Sequence, residues 1–168
     1  MRATPASTPS FEAVAREHSG MLWRIAASYE LDTERRRDLH QDVLLALWRA
    51  LPRFRGDCPL AAFVARVAHN RGVSHVAREA ARPRERELDP QTPLSDPSAQ
   101  DTLEARDRRD RLMRAIHALP LGLRQPTVLS LEGFQPREIA DILGLPVNAV
   151  SIRLTRAKAL LKAVLKET

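Results

Sequence analysis

Cysteine is almost absent from this chain: its 168 residues include one, Cys58. A single thiol closes no disulfide within the chain and builds no CxxC metal pair. The five scattered His residues supply no ligand spacing either. Aromatic residues make up only 4% and glycines number 6, so a packed interior has to be aliphatic. Leu, Ala, Val and Arg dominate instead, which favours helices over a sheet, because strands draw on β-branched and aromatic residues. No long apolar run follows Arg2, only a Pro/Ser/Thr stretch, so neither a signal peptide nor a transmembrane segment is visible. A soluble cytoplasmic protein without membrane insertion is the expectation. No nucleophile–base pair and no phosphate-cradling glycine loop stand out. The reading is therefore of a non-enzyme, with no catalytic residues, no metal and no cofactor.

What is present is unevenly distributed charge. The formal total is +6. Residues 49–86 hold nine Arg against Asp57, Glu79 and Glu85, a net of +6. Residues 147–168 hold Arg153, Arg156, Lys158, Lys162 and Lys166 against Glu167, a net of +4, which leaves −4 for the rest. Two basic surfaces on an otherwise acidic chain suggest two contacts with a polyanion, although solvated helix faces rich in Arg give the same pattern.

The hydrophobic periodicity predicts an all-α protein of two small helical domains joined by a flexible linker. Residues 1–9 read as a disordered tail. Ser10 is a candidate N-cap for a first helix reaching about Ser28, with Phe11, Val14, Leu22 and Ile25 at helical spacing. In the next helix Leu39, Val43, Leu47 and Leu51 recur every fourth residue, and Pro52 ends it. A loop follows over 52–59, then a third helix with Leu60, Phe63, Val64, Val67 and Val76 on one side. These elements form a first domain over 10–82, a bundle in which Trp48 is expected to be buried. Residues 83–101 carry Pro83, Pro90, Pro93 and Pro97 and few apolar residues, the composition of an extended linker. The second domain, 102–168, begins with a helix through Leu112, Ile116 and Leu119, ended by Pro120 and Gly122. A short helix from Arg124 to Leu131 follows, stopped at Gly133.

The strongest local signal comes next. Pro136 to Leu143 reads as a short helix with Pro in the first turn, and Gly144-Leu145-Pro146 as a turn. A second helix runs from Val147, with the stripe Val147, Val150, Leu154, Ala157, Leu161 and Val164. Ala140 is small where two helices approach, Gly144 suits a left-handed turn, and Val150 plugs the angle between the helices. That triple is specific for a helix-turn-helix, whose second helix enters the DNA major groove. The polar side of that helix offers Asn148, Ser151, Arg153, Thr155, Arg156 and Lys158, of which Arg153 borders the apolar stripe.

The stretch LEGFQPREIADILGLPVNAVSIRLTRAKALL resembles the C-terminal promoter-binding region of the extracytoplasmic-function (ECF) sigma factors of the sigma-70 family. The match lies in Glu132-Gly133, Glu138-Ile139-Ala140, Leu143-Gly144, Arg153-Leu154 and Arg156-Ala157. The upstream stretch DLHQDVLLALWRALPRFRGDCPLAAFVARVAHNR is similar to the N-terminal core region of the same family, at Asp38, Gln41, Asp42, Trp48, Phe54-Arg55-Gly56 and Ala68-His69-Asn70. Both regions occur in the family's order, with a linker between them.

The resemblance implies a sigma factor that binds core RNA polymerase, recognises promoter DNA and helps open it, with an anti-sigma factor as a further partner. It places polymerase docking on Asp38, Gln41 and Asp42. It places minus-ten DNA binding on Arg53, Phe54, Arg55, Gly56 and Asp57 of the loop and on Arg66, Asn70 and Arg71 of the following helix. Opening a duplex needs a basic groove and a pocket for an unstacked base, and these arginines can supply the groove. Minus-thirty-five binding falls on Asn148, Ser151, Ile152, Arg153, Thr155, Arg156 and Lys158. Ser151 and Ile152 stand where many members have a basic residue and Ser, Phe63 replaces a frequent Trp, and Pro126 lies in a usually unbroken helix. The rival reading is a helix-turn-helix regulator that does not melt DNA, which would have no need of the Arg-rich N-terminal region. A pure adaptor would leave both basic faces unexplained.

Overall fold

The computed structural model describes residues 9–82 and 102–166. The linker expected over 83–101, and the expected tail apart from Pro9, lie outside the described residues. Among the described residues the fold is all-α, in the order α1 (Phe11–Glu17), α2 (Ser19–Tyr29), α3 (Thr33–Ala50), a 3-10 turn (Leu51–Arg53), α4 (Leu60–Ala80), α5 (Leu103–Ala118), α6 (Leu121–Leu131), α7 (Pro136–Leu143) and α8 (Val147–Lys166).

Side-chain caps define several of the helix starts. Ser10 Oγ accepts the Ala13 N–H at 3.2 Å, Asp32 Oδ1 accepts that of Arg35 at 2.9 Å, and Thr102 Oγ1 accepts that of Ala105 at 3.3 Å. Each satisfies a backbone donor that the first helical turn leaves open. The single helix expected over 10–28 is instead two, broken at His18 (φ −101°, ψ 10°). The Ser19-Gly20 pair that follows is a composition at which helices bend, and the break lets α1 fold Val14 into the interior.

The first bundle packs α2, α3 and α4 around Leu22, Ile25, Leu39, Val43, Leu47, Val64, Ala65 and Ala68. The four-residue stripe on α3 is buried as expected, but Trp48 is not: it stands 57% exposed. Successive helical residues are separated by about 100°, so burying Leu47 turns its neighbour toward solvent. A polar clasp ties the α2–α3 turn to α4. Glu30 is bonded to His75 Nε2 and to the Asp32 N–H, each at 2.9 Å, with Arg35 Nε at 3.5 Å. Burial alone would raise the Glu30 carboxyl, but those hydrogen bonds and the charge of Arg35 hold it below the ordinary range.

The second bundle packs Ile116, Leu119, Val128, Leu129, Ile139, Ala140, Val150 and Ala157. α6 starts at Leu121, earlier than expected, so Gly122 sits inside it rather than ending α5. Pro126 is accommodated within α6. Its missing N–H leaves the Gly122 carbonyl, four residues back, without a helical donor, and Arg153 Nη1 from α8 approaches that oxygen at 3.5 Å. Gly133 takes the left-handed backbone (φ 91°) immediately after α6, as a stop residue should.

The two bundles lie against each other, α7 on α4 and both α5 and α6 on α2. Arg24 of α2 grips Glu132 with two 2.7 Å hydrogen bonds, and Arg66 of α4 donates to the Asp141 carbonyl of α7 at 3.2 Å.

Candidate nucleic-acid interface

α7, its turn and α8 form the helix-turn-helix that the spacing predicts. α7 opens with a capping box: Glu138 Oε2 accepts the Gln135 N–H at 2.7 Å while the Gln135 side chain accepts from the backbone of Glu138. Gly144 ends the helix in the left-handed conformation (φ 66°, ψ 38°). The Leu145 N–H returns to the Ala140 carbonyl at 2.9 Å, the reverse-turn bond that a left-handed residue permits. Ala140 is 4% exposed and Val150 0%, so the predicted triple does meet at the helix junction. The apolar stripe of α8 is buried only in its middle. Val150 and Ala157 are covered, Leu154 and Leu161 partly, whereas Val147 and Val164 are 43% and 49% exposed.

Burial at the middle of α8 fixes what faces outward. Asn148, Ser151, Ile152, Thr155, Arg156 and Lys158 are all exposed. Arg153 is not among them: it is half-buried and turned toward the Gly122 carbonyl. The Ser151 and Thr155 hydroxyls donate to the carbonyls four residues back, at 3.2 and 3.0 Å, so toward a ligand they offer acceptors first.

The second basic site is built on the 3-10 turn, the following loop and α4. Gly56 holds a positive φ of 80° at the loop tip, which L side chains adopt only with strain. Arg53, Arg55, Gly56 and Asp57 are exposed around it. Phe54 points the other way. It is half-buried with its ring centroid 5.0 Å from that of Phe63, and its N–H donates to the Leu51 carbonyl at 3.0 Å. Phe54 is thus the foot that seats the loop. On α4, Asn70 is exposed, Arg71 half-buried, and Arg66 engaged by Asp141. His69, inside the matched Ala-His-Asn triplet, is a core residue: 1% exposed, with Nδ1 2.6 Å from the Tyr29 hydroxyl. Burial pushes its pKa down to about 3, so the ring is neutral.

The third group lies on α3. Asp38 and Gln41 are exposed, and Asp42 pairs with Arg78 Nη2 of α4 at 3.2 Å. Asp38 and Asp42 line a small cleft of about 130 Å³ between α3 and α4. Leu45 and Trp48 continue this outer face at 43% and 57% exposure. Asp38, Gln41, Leu45 and Trp48 follow one another at helical three–four spacing, so they share a side of the helix. Neither Leu45 nor the exposure of Trp48 was anticipated. The available signal was that both are apolar residues off the Leu39–Val43–Leu47 stripe. Among the described residues no cluster of His, Cys, Asp and Glu could hold a metal, and no helix is long and apolar enough to cross a membrane.

Comparison with known proteins gives both halves the same attribution. Residues 14–82 match Sigma-70 region 2, and residues 109–161 match Sigma-70, region 4. The RNA polymerase sigma factor CnrH of Cupriavidus metallidurans is 28% identical over 98% of this chain and 91% of its own. The RNA polymerase sigma-H factor of Pseudomonas aeruginosa is 25% identical over 89% of this chain and 82% of its own. The ECF RNA polymerase sigma-E factor of Escherichia coli K12 is 28% identical over 72% and 69%. Among solved structures, CnrH in complex with the cytosolic domain of CnrY superposes with a TM-score of 0.67, at 26% identity, over 94% of this chain and 88% of that one. The fold is also that of RpoE from Bartonella quintana bound to the anti-sigma factor NepR, with a TM-score of 0.70 at 20% identity over 92% and 98%. With two sigma-70 regions in order, a helix-turn-helix built as its sequence requires and sigma-factor relatives along its length, the chain belongs to the ECF group of the sigma-70 family and is a promoter-recognising RNA polymerase sigma factor.

Proposed function

We propose that the three outward surfaces divide the work of transcription initiation. The α3 face, with Asp38, Gln41 and Asp42 joined by Leu45 and Trp48, docks on core RNA polymerase. The loop at 53–59, with Arg66, Asn70 and Arg71 of α4, holds the non-template strand of the minus-ten element. Arg53 and Arg55 meet phosphate there, and Gly56 leaves room for an unstacked base. The outer face of α8 reads the minus-thirty-five element in the major groove, Arg156 and Asn148 by hydrogen bonds and Ile152 by contact with a thymine methyl. Lys158 serves the phosphates. Arg153 acts behind this face by fixing α8 to α6. The domain limits follow the same division: 10–82 for polymerase and minus-ten binding, 102–168 for minus-thirty-five binding, with 83–101 as linker. The protein works where polymerase does, in the cytoplasm, and catalyses nothing itself.

An anti-sigma factor is the fitting regulator, since the Bartonella quintana RpoE was solved in complex with the anti-sigma factor NepR, and CnrH with the cytosolic domain of CnrY. The observation that carries the reading is the exposed Leu45–Trp48 pair beside Asp38 and Gln41. A regulator binding only duplex DNA has no use for an uncovered aromatic face far from its helix-turn-helix. The test is run-off transcription by core polymerase from a genomic promoter library, with and without the purified chain. New, chain-dependent transcripts support the reading. Tight sequence-specific duplex binding without polymerase, and no new transcripts, would favour the ordinary regulator.

A further inference from the structure

The middle of α8 presents no charged donor on its outward side. With about 100° between successive residues, Ile152 and Thr155 are turned about 160° and 140° away from buried Val150, and Ser151 stands on their flank. All three are exposed, Ile152 at 45%. Arg153, the one cation among residues 148–155, is turned back toward the Gly122 carbonyl at 3.5 Å. What the middle offers instead is two hydroxyls of fixed polarity. Ser151 Oγ donates to the Val147 carbonyl at 3.2 Å, and Thr155 Oγ1 donates to the Ser151 carbonyl at 3.0 Å. A hydroxyl has one proton and two lone pairs, so each oxygen keeps only acceptors for an incoming molecule. To donate outward, either hydroxyl would have to give up its backbone bond.

Acceptors of this kind choose their partners in the major groove. The donors there are the exocyclic amino groups, N6 of adenine and N4 of cytosine, whereas guanine presents O6 and N7 and thymine presents O4, all of them acceptors. An acceptor set against another acceptor leaves both unpaired, which is worse than a contact merely missed. Residues 151 and 155 are one turn apart, roughly 6 Å along the helix, so their partners lie within about two base pairs of each other at ~3.4 Å per pair. We propose that Ser151 and Thr155 are specificity-determining residues of the minus-thirty-five element, each accepting a hydrogen bond from the amino group of an adenine or a cytosine. Ile152 stands beside them on the same face and takes no part in that bond. Its apolar contact favours the A·T pair, which places a thymine methyl next to the adenine amino group.

This inference rests on the reading of α8 as the major-groove helix of a sigma factor, and its test separates the two. Core polymerase with full-length wild type, Ser151→Ala, Thr155→Val or Thr155→Ser transcribes a library randomised in the upstream element. Thr155→Val keeps the shape of the side chain and removes its oxygen, whereas Thr155→Ser keeps the oxygen. Ser151→Ala and Thr155→Val should each relax preference by about three- to tenfold, at two different positions, and Thr155→Ser should not. The preferred template is then remade with the base at one such position lacking only its amino group, purine for adenine or pyrimidin-2-one for cytosine. Wild-type transcription should fall by the same factor, and the variant without the matching hydroxyl should be indifferent to the change. Which analogue has this effect tells adenine from cytosine. A wild type that ignores loss of the amino group overturns the proposal. So does a loss seen with 7-deaza-adenine instead, because the hydroxyl would then be donating to N7. Variants that keep every wild-type preference overturn it as well. If no chain-dependent transcript appears at all, the sigma-factor roles are at fault, and selection of duplexes by the full-length chain alone decides the hydroxyls through the same substitutions.

Discussion

Replacing Gly72 by Ala tests whether the first bundle is packed as described. In an exposed helix the change would stabilise by roughly 0.5–1 kcal/mol, because alanine loses less backbone freedom. On α4 the added Cβ would stand 2.2 Å from Tyr29 Cδ2, 2.4 Å from Cε2 and 2.6 Å from Cγ. The ring cannot simply swing away. Tyr29 is 3% exposed, its hydroxyl is 2.6 Å from His69 Nδ1, and the two rings meet edge-on with centroids 5.6 Å apart. Overpacking of this kind costs about 1–3 kcal/mol. Breaking the buried hydroxyl bond adds ~1–3 kcal/mol for the group left unpaired. Set against the propensity gain, the expected loss is about 1–5 kcal/mol. Urea unfolding followed by circular dichroism should show it as a midpoint lowered by about 0.5–2.5 M at a slope of ~2 kcal/mol per molar. Gly122→Ala is the control. Its nearest added contact would be Arg153 Nη1 at an ordinary 3.8 Å, so its stability should stay within ~1 kcal/mol of wild type. A Gly72→Ala protein as stable as wild type would refute the close approach of α4 to the Tyr29 ring.

The buried neutral His69 makes stability pH-dependent. Its folded pKa of about 3 lies below the unfolded value near 6.5, so this contribution is intact above pH ~6.5. It falls by roughly 1.4 kcal/mol per pH unit as the pH drops toward 3. Urea midpoints from pH 7 to 4 should decline accordingly, and His69→Leu should flatten that decline. Trp48→Ala should change stability by less than ~0.5 kcal/mol, as expected for an exposed site, yet weaken binding to core polymerase about tenfold or more, as loss of an aromatic anchor does. Equal affinity by titration would remove Trp48 from the docking face. Arg156→Ala should reduce transcription by about 1–3 kcal/mol equivalent and relax preference at one upstream base pair in a randomised promoter library. Arg153→Ala should lower the stability of the second bundle and reduce all promoters alike. Selective loss of one base preference in Arg153→Ala would make Arg153 a reader after all.

The parts of this molecule legible in sequence are those whose cause is local. Ser10 caps a helix because a short side-chain oxygen reaches a donor three residues on. The α3 stripe shows because burial repeats every fourth residue. The helix-turn-helix shows because Ala140, Gly144 and Val150 each answer a steric demand within ten residues of one another. What escaped depends on partners far along the chain. Arg24 and Glu132 are 108 residues apart and neither stands out alone. Gly72 looks like an ordinary helical glycine until the Tyr29 ring is laid against it. Arg153 reads as part of a basic recognition face until Pro126, on another helix, leaves an acceptor for it to approach. Trp48 failed for a different reason. Assigning it to the core assumed that a large aromatic must be covered by its own chain. Its phase on α3, one residue beyond buried Leu47, already argued otherwise. On α3 two apolar residues out of phase with the buried stripe, Leu45 and Trp48, stand exposed on the side that also carries Asp38 and Gln41, whereas on α2 Trp23, one residue beyond buried Leu22, meets His40 and Arg36 of α3.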